Sequence, residues 1–72
     1  MVARLEVLAD KRPLLSAREN EVLDCILSGY RNSDTAEELS ITEQSVKNHV
    51  RTIRRVIQFP KGTQFRVWLR TQ

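Results

Sequence analysis

Gln44, Lys47, Asn48, Arg51 and Arg55 recur at three- and four-residue intervals, the spacing of one helix face. That face holds amide, ammonium and guanidinium groups and no acid or large apolar residue. Such donors suit the edges of bases and the oxygens of phosphates. Lys47 and Arg51 can donate to guanine O6 and N7, and Asn48 can pair with adenine N6 and N7. Gln44 offers a second amide, so these four are the expected base-contacting residues. Thr42, Ser45 and Thr52 lie at the start or flank of the same helix, where hydroxyls and the helix N-terminus can hold phosphates. Arg54, Arg55 and Lys61 add charge for the backbone. The bland alternative is an amphipathic helix whose polar face is simply solvated.

Catalytic constellations are missing. His49 is the single histidine and Cys25 the single cysteine. No histidine pair, internal disulfide or zinc-finger spacing can be built from them. No glycine-rich phosphate loop occurs. Glu37 and Glu38 are adjacent and point apart on a helix. With 72 residues the chain holds one modest core and little room for a deep pocket. The expectation is a non-enzymatic protein with no cofactor and no metal. Cys25 reads as a small buried or half-buried filler, since no cationic neighbour at helical spacing would lower its pKa. His49 reads as a core-edge histidine, with a phosphate contact as the sharper alternative. A lone cysteine suits a reducing cytoplasm. No apolar run reaches the length of a membrane span and no signal-peptide core follows Met1, so no membrane partner is expected.

The charge is split along the chain. Residues 1–43 carry five basic and nine acidic residues, a net of −4. Residues 44–72 carry seven basic residues and no acidic one, a net of +7. A cationic half beside an acidic half reads as a surface facing a polyanion.

Four helical segments must position these groups. Residues 1–13 form an N-terminal arm or short helix: Val2, Leu5, Leu8 and Ala9 recur at helical spacing, and Pro13 restricts Arg12 to extended geometry. Residues 14–72 form the domain proper. Ser16-Ala17-Arg18-Glu19 is a capping box that opens the first helix. Val22, Leu23, Ile26 and Leu27 form its apolar face, and Gly29 can close it in the left-handed conformation. Asn32 or Ser33 caps a short second helix whose Thr35, Ala36 and Leu39 face inward. A connection of three or four residues then leads to Thr42, a good N-cap. Val46, Val50, Ile53 and Ile57 form the apolar stripe of the third helix, opposite the polar face. Pro60 and Gly62 break the chain. Thr63 caps a last helix, from Gln64 to about Thr71, that is too short to stand alone.

These residues resemble the LuxR/GerE-type helix-turn-helix domain, the output module of many bacterial transcription regulators. The resemblance covers residues 14–65. It runs through Leu15-Ser16-Ala17-Arg18-Glu19-Asn20-Glu21-Val22-Leu23, Gly29, Asn32 and Ala36-Glu37-Glu38-Leu39. The strongest stretch is Ile41-Thr42-Glu43-Gln44-Ser45-Val46-Lys47-Asn48-His49-Val50, followed by Ile53, Thr63 and Gln64. It implies an all-α, four-helix domain whose third helix enters the major groove. Lys47, Asn48 and Arg51 then face bases, and Thr42 with the helix start faces the backbone. It also implies double-stranded DNA as partner, a bacterial cytoplasmic, nucleoid-associated setting, and a homodimer formed through the last helix on inverted-repeat sites. The length resembles the small stand-alone, GerE-like members, and Met1 points the same way.

Departures from that pattern carry expectations of their own. Thr35 stands where a large aliphatic residue is usual, which predicts looser packing of the second helix. Ser40 replaces a frequent turn glycine, and Gln58 replaces a glycine that often ends the third helix. Phe65, Arg66, Trp68 and Arg70 replace mainly small and aliphatic residues in the last helix. Two arginines there would repel across a two-fold axis, whereas Phe65, Val67 and Trp68 could anchor a dimer or partner contact. That motivates a rival function: a protein-interaction module that binds and modulates RNA polymerase or another regulator.

Overall fold

The computed structural model describes residues 10–57 and 64–71. Among them it contains four α-helices and no strand: α1 (Ala17–Leu27), α2 (Asn32–Leu39), α3 (Glu43–Val56) and α4 (Phe65–Thr71). A 3-10 turn, Arg12–Leu14, leads into α1. The all-α, four-helix architecture is the expected one. The expected Val2–Ala9 helix, Gln58, Pro60, Lys61, Gly62 and Thr63 lie outside the described residues.

Local chemistry sets the ends of α1. The Ser16 hydroxyl accepts the Glu19 amide proton at 3.1 Å, and the Glu19 carboxylate accepts the Ser16 amide proton at 3.0 Å. This reciprocal cap satisfies two amides that the first turn leaves without helical acceptors. At the other end Gly29 sits at φ +88°. The Tyr30 amide reaches back to the Cys25 carbonyl and the Gly29 amide to that of Ile26, both at 3.0 Å. This pair of bonds turns the chain at once towards α2.

Arg12 is not extended, contrary to the expectation from Pro13. It opens the 3-10 turn, and the extended residue is Leu15. The reason is tertiary. The Arg12 guanidinium donates to Asn20 Oδ1 and to Asp24, while its carbonyl accepts from the Leu15 amide and from Asn20 Nδ2. These bonds lock the turn on the side of α1 and outweigh a modest local preference.

The N-cap of α2 is Arg31 rather than Asn32 or Ser33. Asp34 accepts the Arg31 amide proton at 3.1 Å, so the carboxylate three residues on does the capping work. The same backbone bond, followed by the Arg31 side chain, holds the Asp34 carboxyl below its ordinary value. Thr35 does not loosen the helix. It is fully buried, and its hydroxyl donates to the Arg31 carbonyl at 3.0 Å. A threonine is tolerated at this core position because its one polar atom is paired within the helix.

The turn from α2 to α3 is Ser40-Ile41-Thr42. Ser40 takes the left-handed conformation (φ 56°, ψ 44°) that a glycine would adopt without strain. Ser40→Gly should relieve about 1–2 kcal/mol of that cost and return roughly half as much through a more flexible unfolded chain. The expected result is a gain of about 0.5–1 kcal/mol, read as a melting temperature higher by several degrees. A lower melting temperature would assign the exposed Ser40 hydroxyl a role of its own.

The core gathers Leu15, Val22, Leu23, Ile26, Ala36, Val46, Ile53, Ile57, Phe65 and Leu69. α3 lies against both α1 and α2, and α4 lies against α1. Phe65, expected as a candidate partner contact, is instead 5% exposed and belongs to this core. Trp68 is half-buried against it, and Val67 is 52% exposed. The helix α3 stops at Val56, with Ile57 extended as its C-cap.

Candidate nucleic-acid interface

The position of α3 follows from its two faces. Val46 and Ile53 are fully buried, Val50 is half-buried, and Ile57 closes the stripe just past the helix end. Burying this stripe against α1 and α2 turns the opposite side to solvent. Gln44, Lys47, Asn48, Arg51 and Arg55 are all exposed there. Thr42 and Arg54 are exposed beside them, while Ser45 and Thr52 are half-buried on the flanks. The structure thus brings the expected base- and phosphate-facing residues onto one side of one helix, except Lys61, which lies outside the described residues.

Hydrogen bonds order part of this surface. Thr42 Oγ1 accepts the Ser45 amide proton at 3.0 Å and donates to Ser45 Oγ at 3.0 Å. Gln44 Nε2 donates to Asn48 Oδ1 at 3.1 Å, which sets the orientation of the Asn48 amide. The Thr52 hydroxyl turns back to the Asn48 carbonyl at 3.4 Å.

Six of the described cations fall into two groups. In the acidic N-terminal part of the chain, Arg12 pairs with Asp24, Arg18 with Glu21 and Arg31 with Asp34. On α3, Lys47, Arg51 and Arg55 make no ion pair among the described residues. Their field is therefore not cancelled locally, and it extends outward over about one Debye length.

His49 stands apart from this face. Its Nδ1 lies 3.7 Å from the Glu19 carboxylate, with side chains 28% and 16% exposed. It joins α3 to the capping box of α1, the core-edge position expected by default. Cys25 is buried on α1. Burial pushes its thiol above the ordinary value; a hydrogen bond with Thr35 pulls the other way, and Glu38, Asp24 and Glu21 push it further up. A thiol so placed is a poor nucleophile. Among the described residues no cluster of histidine, cysteine or carboxylate side chains could hold a metal ion. No helix among them is long and apolar enough to cross a membrane.

Local spacing does not reveal Arg66. Its guanidinium reaches back 36 residues to donate to the Tyr30 carbonyl at 3.0 Å, and it also bonds Asn32 Oδ1. It braces α4 on the loop before α2 instead of projecting from α4 as an idle charge.

Residues 13–68 match the family described as bacterial regulatory proteins, luxR family. The chain belongs to that family. The HTH-type transcriptional activator RamA of Corynebacterium glutamicum is 44% identical over 41 residues, 57% of this chain and 15% of RamA. The response regulator protein TodT of Pseudomonas putida is 44% identical over 52 residues, 72% of this chain and 23% of TodT. The luxR-family chain described here thus spans less than a quarter of either relative in the aligned part. No solved structure matches it. In luxR-family terms α2, the Ser40–Thr42 turn and α3 are the helix-turn-helix, and the exposed face of α3 is its outer side.

Proposed function

We propose that this chain binds double-stranded DNA sequence-specifically and regulates transcription, with α3 lying in the major groove. The observation that carries this reading is the outer face of α3, exposed along its length, rich in donors and free of acids. The major groove is wide enough for one such helix. Lys47, Asn48, Arg51 and Gln44 read base edges. Thr42, Ser45, Thr52, Arg54, Arg55 and Lys61 hold phosphates, which fixes register without reading sequence. The family match and the names of the two relatives, an activator and a response regulator, support a regulatory role. The setting is the bacterial cytoplasm, at the nucleoid.

A homodimer on an inverted repeat completes the reading, with the last helix as its contact. Val67 is the exposed large apolar side chain on α4. Phe65 is buried and Trp68 half-buried, so of the three apolar residues expected to anchor a dimer or partner contact Val67 alone is exposed, which leaves less apolar surface for RNA polymerase or another regulator as well as for a second copy.

Selection from random duplex DNA followed by sequencing tests this. The expected result is one enriched motif, with two-fold symmetry if the dimer forms, and binding that weakens steeply with salt as counterions are released. Retention without any enriched motif would remove sequence specificity. No retention at low salt would remove DNA binding.

A further inference from the structure

Arg66 and Arg54 meet at a cleft that the outer face of α3 shares, through Lys47 and Arg51, with α4 and the start of α2. Asn32, Lys47, Val50, Arg51, Arg54 and Arg66 line it, enclosing about 350 Å³. Four of the six are cations and none is an acid. Like charges gathered round one opening repel, and an anion within it reverses the sign of that interaction. The wall is built in part by fold contacts. Arg66 is half-buried and fixed by its bonds to Tyr30 and Asn32. A guanidinium carries five N–H donors, so those two bonds leave others to offer. Burial lowers the Arg66 pKa, yet an arginine stays charged at neutral pH. Asn32 is the first residue of α2, where amides lack acceptors within the helix. Asp34, the acid of that turn, is occupied with the Arg31 amide and side chain and does not line the cleft.

We propose that this cleft is a phosphate-oxygen site, in which Arg66 of α4 and Arg54 of α3 hold one backbone phosphate beside the helix that reads the bases. The proposal rests on the DNA-binding reading for the source of the phosphate, a duplex backbone. Free phosphate shares the chemistry and is separated from it by the test. Arg66 thereby links three events: α4 docks, the start of α2 is held, and the backbone is gripped.

The test has two arms. In the first, duplex binding of the wild type, Arg66→Gln and Arg54→Gln is titrated over a range of salt. Each variant should bind several-fold more weakly on every sequence, with a salt slope smaller by about one. Arg66→Lys should recover the slope because it keeps the charge. In the second, inorganic phosphate is titrated while the Asn32 amide and arginine side-chain resonances are followed. Saturable shifts are expected in the wild type and lost in Arg66→Gln. A wild-type salt slope in Arg66→Gln would overturn the site and leave the DNA reading intact, and a lowered unfolding midpoint in that variant would then make Arg66 a brace only. Phosphate shifts at the cleft with no duplex binding would uphold the site and overturn the DNA reading. If Arg66→Gln fails to fold, the wild-type phosphate titration decides: no saturable shift at the Asn32 amide or the Arg66 side chain would overturn the site.

Discussion

Ile53→Ala is expected to destabilise the domain by about 2–5 kcal/mol, the range for removing a large buried aliphatic group. Ile53 is fully buried on α3, where that helix meets the rest of the core. Its loss removes apolar area and leaves a void that the surrounding core fills only in part. A chain of 72 residues has roughly 4–11 kcal/mol to lose in all. One such truncation therefore takes a large part of the total, and the variant should unfold at much lower urea. Val50→Ala is the internal control. It sits one turn earlier on the same stripe but is only half-buried, so its cost should be clearly smaller. Equal midpoints for the two variants in urea titrations followed by circular dichroism would contradict the packing described for α3.

The features legible in the sequence are those whose partners lie within about four residues. The Ser16–Glu19 box, the Thr42–Ser45 cap and the left-handed Gly29 each occupy one short window, and the structure forms all three. The inward stripe of Val46, Val50, Ile53 and Ile57 is legible for the same reason, and the exposed side of α3 follows from it by geometry. What local pattern misses is set by distant groups. Arg12 adopts a 3-10 turn because Asn20 and Asp24, eight and twelve residues on, hold its side chain. The N-cap of α2 is Arg31 although its partner Asp34 lies only three residues on, because several neighbouring residues can cap and the Asp34 carboxylate selects among them. Phe65 and Leu69 lie four apart and are both buried, a signal for a core face that the nearby arginines obscure. Arg66 is the clearest case. Its partners are 34 and 36 residues away, so neither its bracing role nor the cleft it lines can be found from spacing along the chain.

Arg51→Ala should lower affinity for the preferred duplex by about 1–3 kcal/mol, roughly 5- to 150-fold, and relax preference at one base position. The two effects belong together. A guanidinium that donates two bonds to guanine discriminates among bases, so its loss lowers the affinity of the best site more than that of a random one. Arg55→Ala should behave differently, weakening all sequences alike and reducing the salt slope by about one. Lys47→Ala should follow Arg51→Ala in kind. All three side chains are exposed and make no ion pair among the described residues, so their removal should shift stability by no more than about 0.5 kcal/mol. Changes in binding can therefore be attributed to contact with DNA and not to loss of fold. Binding measured on the selected site and on a scrambled duplex, at two salt concentrations, separates the roles. If Arg51→Ala weakens both duplexes equally, Arg51 grips the backbone. If both Arg51→Ala and Lys47→Ala keep wild-type affinity and preference, this face of α3 does not read bases.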